Sequence, residues 1–222
     1  MIAPDYNMAD FNAKHFAYIL KRRSDCLDDD LRNALSESLM KAAICSIRRN
    51  VSPDYTNISL MSLNTIINAG EISGNQAFLE RGKERLRKVH KYDTFCGCFS
   101  DFNSSCYSPL AIEEISMMME LFEDEECVSM AKDLNKIAWE MLMSHYHRKL
   151  KQISPPQMRC YHSFVGNKIE EMIFLGTNGA YGSIDKEHPT NPAMLQIPPV
   201  CPKEVVETYL AKPFAPTFLD TT

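Results

Sequence analysis

The sequence predicts an all-α protein whose helical body is followed by an irregular, proline-rich strap. Apolar residues recur with helical spacing up to about residue 150, and capping residues and glycines mark the ends of these segments. Beyond Ser154 the pattern stops, and nine of the twelve prolines follow that residue. Because a chain of 222 residues suits one core, we expect a single domain over residues 1–222, with the helical body at 1–150 and the strap at 151–222.

Six helices are predicted in the body. Ser108 should cap the fifth helix just before Pro109, and Gly70 should terminate the third. The short connections between helices favour antiparallel hairpins. The predicted helices are Met8–Arg23, residues 28–49, Thr56–Ala69, residues 75–92, Leu110–Phe122 and Asp124–Tyr146.

The strap carries little regular structure of its own. Two stretches, Ile169–Phe174 and Lys203–Ala211, are the ones with enough periodicity for short elements. Aromatic side chains are expected to anchor the remainder on the helical body, since a disordered tail would not need them. The anchors are Phe164, Phe174, Tyr181, Phe214 and Phe218.

Composition excludes several classes of protein. The net charge of −5 gives no electrostatic reason to expect a nucleic-acid partner. No window approaches the roughly 18 consecutive apolar residues that a membrane span requires. The first residues, MIAPDYNMADF, lack the basic start and apolar run of a secretory signal. We therefore expect a cytoplasmic protein with no membrane partner, unless the chain is a processed piece of a secreted one.

The eight cysteines are expected to be reduced thiols, mainly buried, that need no metal or disulfide. Cys96, Cys98 and Cys106 form the best candidate for a zinc site. Their C-x-C spacing argues against it, because structural zinc sites usually use C-x-x-C pairs. Cys106 as a catalytic nucleophile is a further alternative that the sequence leaves open. No cofactor is predicted.

Polar residues interrupt the apolar pattern at alternate helix ends. In consecutive antiparallel hairpins, the starts of the first, third and fifth helices and the end of the sixth lie at one end of the bundle. This placement predicts one shared cavity at that end. Its residues would be Tyr6, Asn7, Asp10, Tyr55, Asn57, Asn103, Tyr107, His145, His147, Arg159 and Tyr161.

The order of these motifs resembles a family of bacterial and fungal α/α-toroid proteins. The stretches DYNMADF, YTNISLM, FNSSCY, HYH and RCY match family patterns DYNWADF, YTNI, EYNSPTY, HFHP and GPHSRAY over about Asp5 to Tyr161. Asp101 stands where the family has Glu, Cys106 where it has Thr, and PPQMRCY replaces GPHSRAY with the loss of one His. The chain is also short for a complete toroid, which implies a shortened relative or a fragment.

The resemblance implies a site similar in composition to those of uronic-acid polysaccharide lyases, acting on a small-molecule or polysaccharide substrate by β-elimination. Asn103 and Arg159 would bind the substrate carboxylate, His145 or His147 would be the base, and Tyr107 or Tyr161 the acid. The residues expected to bind the rest of the substrate are Tyr6, Asn7, Asp10, Tyr55 and Asn57.

A non-catalytic alternative stays open, in which the chain is a helical binding or assembly protein derived from the toroid fold. Under it, Asn103 is a loop residue, Arg159 pairs with a carboxylate, and the histidines sit at a helix end where the dipole favours cations. Asn57 and Asn103 also head glycosylation sequons. An exposed glycan acceptor would conflict with a place in a cavity, and we favour the cavity.

Overall fold

The computed structural model describes residues 7–161, 167–185, 187 and 191–212. Six long helices form the body, and within this part of the chain a two-stranded hairpin and short helices follow it. The body helices are α1 Met8–Arg22, α2 Asp29–Arg49, α3 Thr56–Ser73, α4 Gln76–Cys96, α5 Tyr107–Leu121 and α6 Glu125–His145. The hairpin of β1 Tyr146–His147 and β2 Gln152–Ile153 connects the body to the strap. The strap helices are α7 Lys168–Gly176, α8 Pro192–Gln196 and α9 Lys203–Val205, which continues as a π-helical turn over Val206–Leu210.

The body is built from antiparallel helix pairs, as the sequence predicts. Helices α1 and α2, α3 and α4, and α5 and α6 pack together as consecutive pairs. Helix α3 also contacts α1, α2 and α5, and α4 contacts α6. As a result α3 is enclosed, with every residue from Thr56 to Gly70 buried. No helix among the described residues is long and apolar enough to cross a membrane.

Local signals explain where three of the six body helices begin. The side chains of Asp28, Asn75 and Asp124 accept hydrogen bonds from backbone N–H groups three residues ahead, at 2.7, 3.3 and 3.0 Å. Each therefore satisfies a backbone donor that the first helical turn leaves unpaired. These are the starts of α2, α4 and α6, and all three were expected within a residue of their observed positions.

Two predicted helix boundaries are wrong. Helix α3 continues past Gly70 to Ser73 and ends at Gly74, whose φ of 65° suits glycine. Gly70 instead allows α4 to pack closely against α3, because a Cβ at this position would lie 2.7 Å from the Leu79 backbone nitrogen. Helix α5 begins at Tyr107, before the expected cap Ser108.

Ser104 caps α5 in place of Ser108. Its Oγ accepts hydrogen bonds from the backbone nitrogens of Cys106 and Tyr107, at 3.3 and 3.0 Å. The Ser108 hydroxyl accepts in turn from the Ser104 backbone nitrogen at 3.2 Å. These three hydrogen bonds, all within residues 104–108, hold Tyr107 in place at the start of α5.

The strap is more regular and better packed than expected. Helix α7 supplies Ile169, Met172 and Ile173 to the main core. Gly176 lies against the only tryptophan, since a Cβ there would stand 2.7 Å from the Trp139 ring. Of the five expected aromatic anchors, Phe174 and Tyr181 are half-buried. Phe164, Phe214 and Phe218 lie outside the described residues.

A buried ion pair joins three helices in the centre of the body. Lys14 of α1 donates to Glu114 of α5, and Asn64 of α3 donates to the same carboxylate at 2.9 Å. The Lys14 side chain is 8% exposed and that of Glu114 is fully buried. Burial raises the pKa of Glu114, while Lys14 and Asn64 oppose that rise. Because removing one partner would leave the other charge buried and uncompensated, the pair is costly to break.

Candidate functional site

Arg159 is the centre of the best-defined polar cluster at the end where α3 and α5 begin. Its Nη1 donates to Asp101 Oδ1 at 2.9 Å, and its Nη2 donates to the Tyr107 hydroxyl at 2.7 Å. The guanidinium carbon also lies 3.8 Å from the centroid of the Tyr107 ring and 5.9 Å from that of Tyr55. We call Tyr55, Asp101, Tyr107, Arg159 and Tyr161 the Arg159 cluster.

Two tyrosines share the outer side of this cluster. The Tyr107 and Tyr161 hydroxyl oxygens are 3.3 Å apart, and their rings meet edge to face with centroids separated by 6.1 Å. Tyr107 is half-buried, whereas Tyr161 is 63% exposed. The pair therefore presents one protected and one accessible hydroxyl within a single hydrogen bond.

The surroundings shift the pKa values of the two tyrosines in opposite directions. Burial, with the hydrogen bond to Tyr161, raises the pKa of Tyr107 to about 12. The hydrogen bonds from Tyr107 and Arg159 lower the pKa of Tyr161. The hydrogen bond to Asp101 holds the pKa of Arg159 above its ordinary value, against the effect of burial. Tyr161 is thus the stronger acid of the pair, and its phenolate is the form that Arg159 stabilises.

Asn103 holds the strap and does not face an open site. Its Nδ2 donates to the carbonyl oxygens of Ser154 and Pro156, both at 2.7 Å, and the residue is 1% exposed. Both amide hydrogens are therefore committed. Its φ of 46° lies in the left-handed region, which Asn tolerates better than most residues. These hydrogen bonds hold the strap at Pro156, three residues before Arg159. Asn103 therefore helps to position Arg159.

The two histidines are placed by other contacts. His145 Nδ1 lies 3.0 Å from the Met141 carbonyl oxygen and 2.9 Å from Ser144 Oγ. The ring meets Phe102 edge to face at 5.0 Å. His147 belongs to β1, and its Nδ1 accepts from the Leu150 backbone nitrogen at 3.2 Å. These contacts hold the end of α6 and the turn of the hairpin.

The residues at the start of α1 belong to a second polar group. Asp10 is 2% exposed, accepts a hydrogen bond from Ser46, and lies 3.9 Å from Arg49 Nη1. Burial raises the pKa of Asp10, although Ser46 and Arg49 counteract it. A cavity of about 480 Å³ is lined by Ala9, Asp10, Cys45, Ser46, Arg48 and Arg49.

The remaining predicted site residues are Tyr6, Asn7 and Asn57. Asn7 is half-buried and Asn57 is 4% exposed, and the Asn57 amide oxygen has no hydrogen-bond partner among the described residues. Tyr6 lies outside the described residues. Since Asn57 and Asn103 are both buried, neither sequon offers an accessible glycan acceptor in the folded protein.

Asp101 is a functional candidate whose ion pair with Arg159 was not predicted from the sequence. It is 7% exposed and forms the charged partner of Arg159. The available signal was its position two residues before Asn103, where the resembling family carries Glu. An acidic side chain so close to the expected site is a natural partner for an arginine.

None of the eight cysteines, all of which lie among the described residues, forms a disulfide. The expectation that they are mainly buried is wrong, because only Cys127 and Cys201 are buried. Within the residues that the structure describes, no group of three or more His, Cys, Asp or Glu side chains is arranged to hold a metal ion. The Arg159 cluster combines a fixed cation, a carboxylate that binds it, and two tyrosines of different acidity.

Fold and cluster together define a mostly helical protein of antiparallel pairs with a partly exposed tyrosine–arginine cluster at one end of the body. The chain belongs to the family described as Domain of unknown function (DUF8769), whose family model matches residues 3–196. Neither the curated proteins nor the solved structures contain a match to this sequence.

Proposed function

We propose that the protein is a carbohydrate-active enzyme of the polysaccharide-lyase type, cleaving a uronic-acid substrate by β-elimination at the Arg159 cluster. The observation that carries the proposal is the hydrogen-bonded series from Arg159 to Tyr107, at 2.7 Å, and from Tyr107 to Tyr161, at 3.3 Å. A fixed cation beside two hydroxyls of unequal acidity matches what elimination from a uronate requires.

Arg159 neutralises the substrate carboxylate in this proposal. Its side chain is 32% exposed, and its five N–H groups exceed those used by Asp101 and Tyr107. The bound carboxylate draws electron density from C5 of the sugar, so that the C5 proton becomes more acidic. Charge that develops on the carboxylate as this proton leaves is stabilised by the same guanidinium.

Tyr161 is the base and Tyr107 the acid. Tyr161, as its phenolate, takes the C5 proton, the C5–H electrons form the C4–C5 double bond, and the C4–O bond breaks. The departing glycosidic oxygen receives a proton from Tyr107, and the Tyr107–Tyr161 hydrogen bond returns the proton taken from C5. No redox change occurs, and both tyrosines end in their starting states. The histidines have no transfer role in this scheme.

The proposed fold is a partial α/α-toroid. In a toroid, alternate helices form an inner layer, and the contacts of α3 with both α1 and α5, together with that of α4 with α6, follow this alternation. Tyr55 precedes α3 and Tyr107 begins α5, so the cluster lies at the ends of neighbouring inner helices. Three helix pairs would supply part of a ring.

A screen of uronate polymers tests the proposal. The folded full chain is incubated with glucuronan, alginate and related polymers, and the unsaturated product is followed by its ultraviolet absorbance. At least one polymer should give product, and Arg159→Gln should reduce the rate on that polymer while the protein stays folded. A blank screen with folded wild-type protein would remove the proposal.

A second candidate function is binding of acidic saccharides without cleavage. It is favoured by the commitment of the Asn103 amide to Ser154 and Pro156, because a lyase would need that donor free if Asn103 bound the carboxylate. Calorimetric titration with the same polymers separates the two. Binding that depends on Arg159, with no unsaturated product, would establish this alternative.

A further inference from the structure

Two cysteines occupy matching positions in segments that lie side by side. Cys106 stands between Ser105 and Tyr107 at the start of α5, and Cys160 stands between Arg159 and Tyr161 in the strap. The structure joins these segments on both sides of the cysteines. Ser105 Oγ lies 3.6 Å from Cys160 Sγ, and the Tyr107 and Tyr161 hydroxyls are 3.3 Å apart.

Further contacts bring the same segments together. Arg159 bonds to Tyr107, and Asn103 holds the strap through the Ser154 and Pro156 carbonyl oxygens. The charge of Cys106 acts to raise the pKa of the Tyr161 hydroxyl, so the two side chains lie within electrostatic reach of each other. Cys106 and Cys160 therefore belong to two short segments that contact each other through Ser105 and Cys160 and again through Tyr107 and Tyr161.

We infer that Cys106 and Cys160 are a modification site, at which a peroxide oxidant forms a reversible disulfide between the strap and the start of α5. Cys160 is exposed and Cys106 half-buried, so Cys160 meets the oxidant first. Its thiolate attacks the peroxide O–O bond, which gives a sulfenic acid and, after protonation, water. The Cys106 thiol then displaces the sulfenic oxygen as a second water, and the two sulfurs are joined. Two electrons pass from the thiols to the peroxide, and a dithiol reverses the change.

The disulfide would fix the accessible tyrosine against the protected one. Tyr161 follows Cys160 directly and Tyr107 follows Cys106, so a bond between the sulfurs restrains the separation of their hydroxyls. An effect of oxidation on uronate turnover rests on the proposed function. Formation of the disulfide does not, and it can be tested without any substrate.

Peptide mapping of the full chain tests the inference. Reduced protein is treated with hydrogen peroxide near stoichiometry, and remaining thiols are blocked with an alkylating reagent. Chymotryptic peptides are then identified by mass spectrometry, because cleavage after Phe102 and Tyr107 separates Cys106 from the other cysteines of its tryptic peptide. We expect one crosslinked pair joining Cys106 to Cys160 and the loss of two of the eight thiols, both reversed by dithiothreitol. A disulfide requires α-carbons within about 7 Å of one another, and the crosslink reports whether the native strap meets that condition.

Two variants complete the experiment. Cys160→Ser should abolish the crosslink, while Cys26→Ser, at an exposed cysteine in the short 3₁₀ turn Ser24–Cys26, should retain it. Circular dichroism confirms that each variant is folded. The inference is overturned if folded wild-type protein gives no such pair, if Cys160 pairs with another cysteine instead, or if the pair forms only after denaturation.

Discussion

Asp93 is a buried carboxyl that should make the protein less stable as the pH rises. The residue is 1% exposed, near the end of α4, and neither carboxylate oxygen has a hydrogen-bond partner among the described residues. Burial raises its pKa from 3.8 to about 8. The folded protein therefore keeps the Asp93 proton over a pH range in which the unfolded chain releases it.

The sign and size of the effect follow from this difference. Between about pH 4 and pH 8 the folded state binds more protons than the unfolded state, so the free energy of unfolding falls as the pH rises. One pKa unit corresponds to about 1.36 kcal/mol. Asp93→Asn keeps the shape and removes the ionisation. Its stability relative to wild type should therefore increase by ~2.7 kcal/mol between pH 5 and pH 7, from the same conversion.

Urea unfolding of wild type and Asp93→Asn at pH 5, 6 and 7 measures this change directly. The comparison between the two proteins cancels the other titrating groups. Asp54→Asn, at an exposed position before α3, controls for the loss of one carboxyl and should show no comparable trend. A difference between wild type and Asp93→Asn that stays constant over this pH range would refute the reasoning.

Two further stability predictions follow from packing. Gly176→Ala should lower the free energy of unfolding by about 1–3 kcal/mol, because the added Cβ would stand 2.7 Å from Trp139. Thermal unfolding and Trp fluorescence would check it, and an unchanged melting temperature would contradict it. Lys14→Met should cost about 3–5 kcal/mol because it leaves the Glu114 carboxylate buried without its cation. The double variant Lys14→Met with Glu114→Gln should recover part of that loss in chemical denaturation, and an additive loss would show that the pair is not coupled.

The helical body is predictable from sequence because its signals are local. Asp28, Asn75 and Asp124 cap helices through bonds within three residues, and these caps can be read from residue order. The continuation of α3 through Gly70 cannot, since it depends on the approach of Leu79 from the next helix. The mostly helical fold in antiparallel pairs is confirmed, whereas the packed helix α7 in the expected strap was only partly foreseen.

The candidate site was also only partly predictable from the sequence. Tyr55, Tyr107, Arg159 and Tyr161 meet in one cluster. Asp10, which was expected in the same cavity, lies instead in a second polar group with Ser46 and Arg49. The commitment of the Asn103 amide follows from the path of the strap after Ser154, which has no local signal in the sequence. Whether these residues act on a substrate stays a prediction.

The rate of unsaturated-product formation by Tyr161→Phe, relative to wild type, tests the proposed proton transfer most directly. The variant keeps the ring that contacts Tyr107 and removes the one hydroxyl assigned as base. Tyr92→Phe is the matched control, because Tyr92 is a partly exposed tyrosine of α4 whose hydroxyl lies 3.2 Å from Ser100 Oγ. On a uronate polymer that the wild type cleaves, Tyr161→Phe should be slower by about 10²–10⁴-fold, and Tyr92→Phe should match the wild type. Equal rates for Tyr161→Phe and wild type, or no product from folded wild type on any uronate polymer, would contradict the proposal.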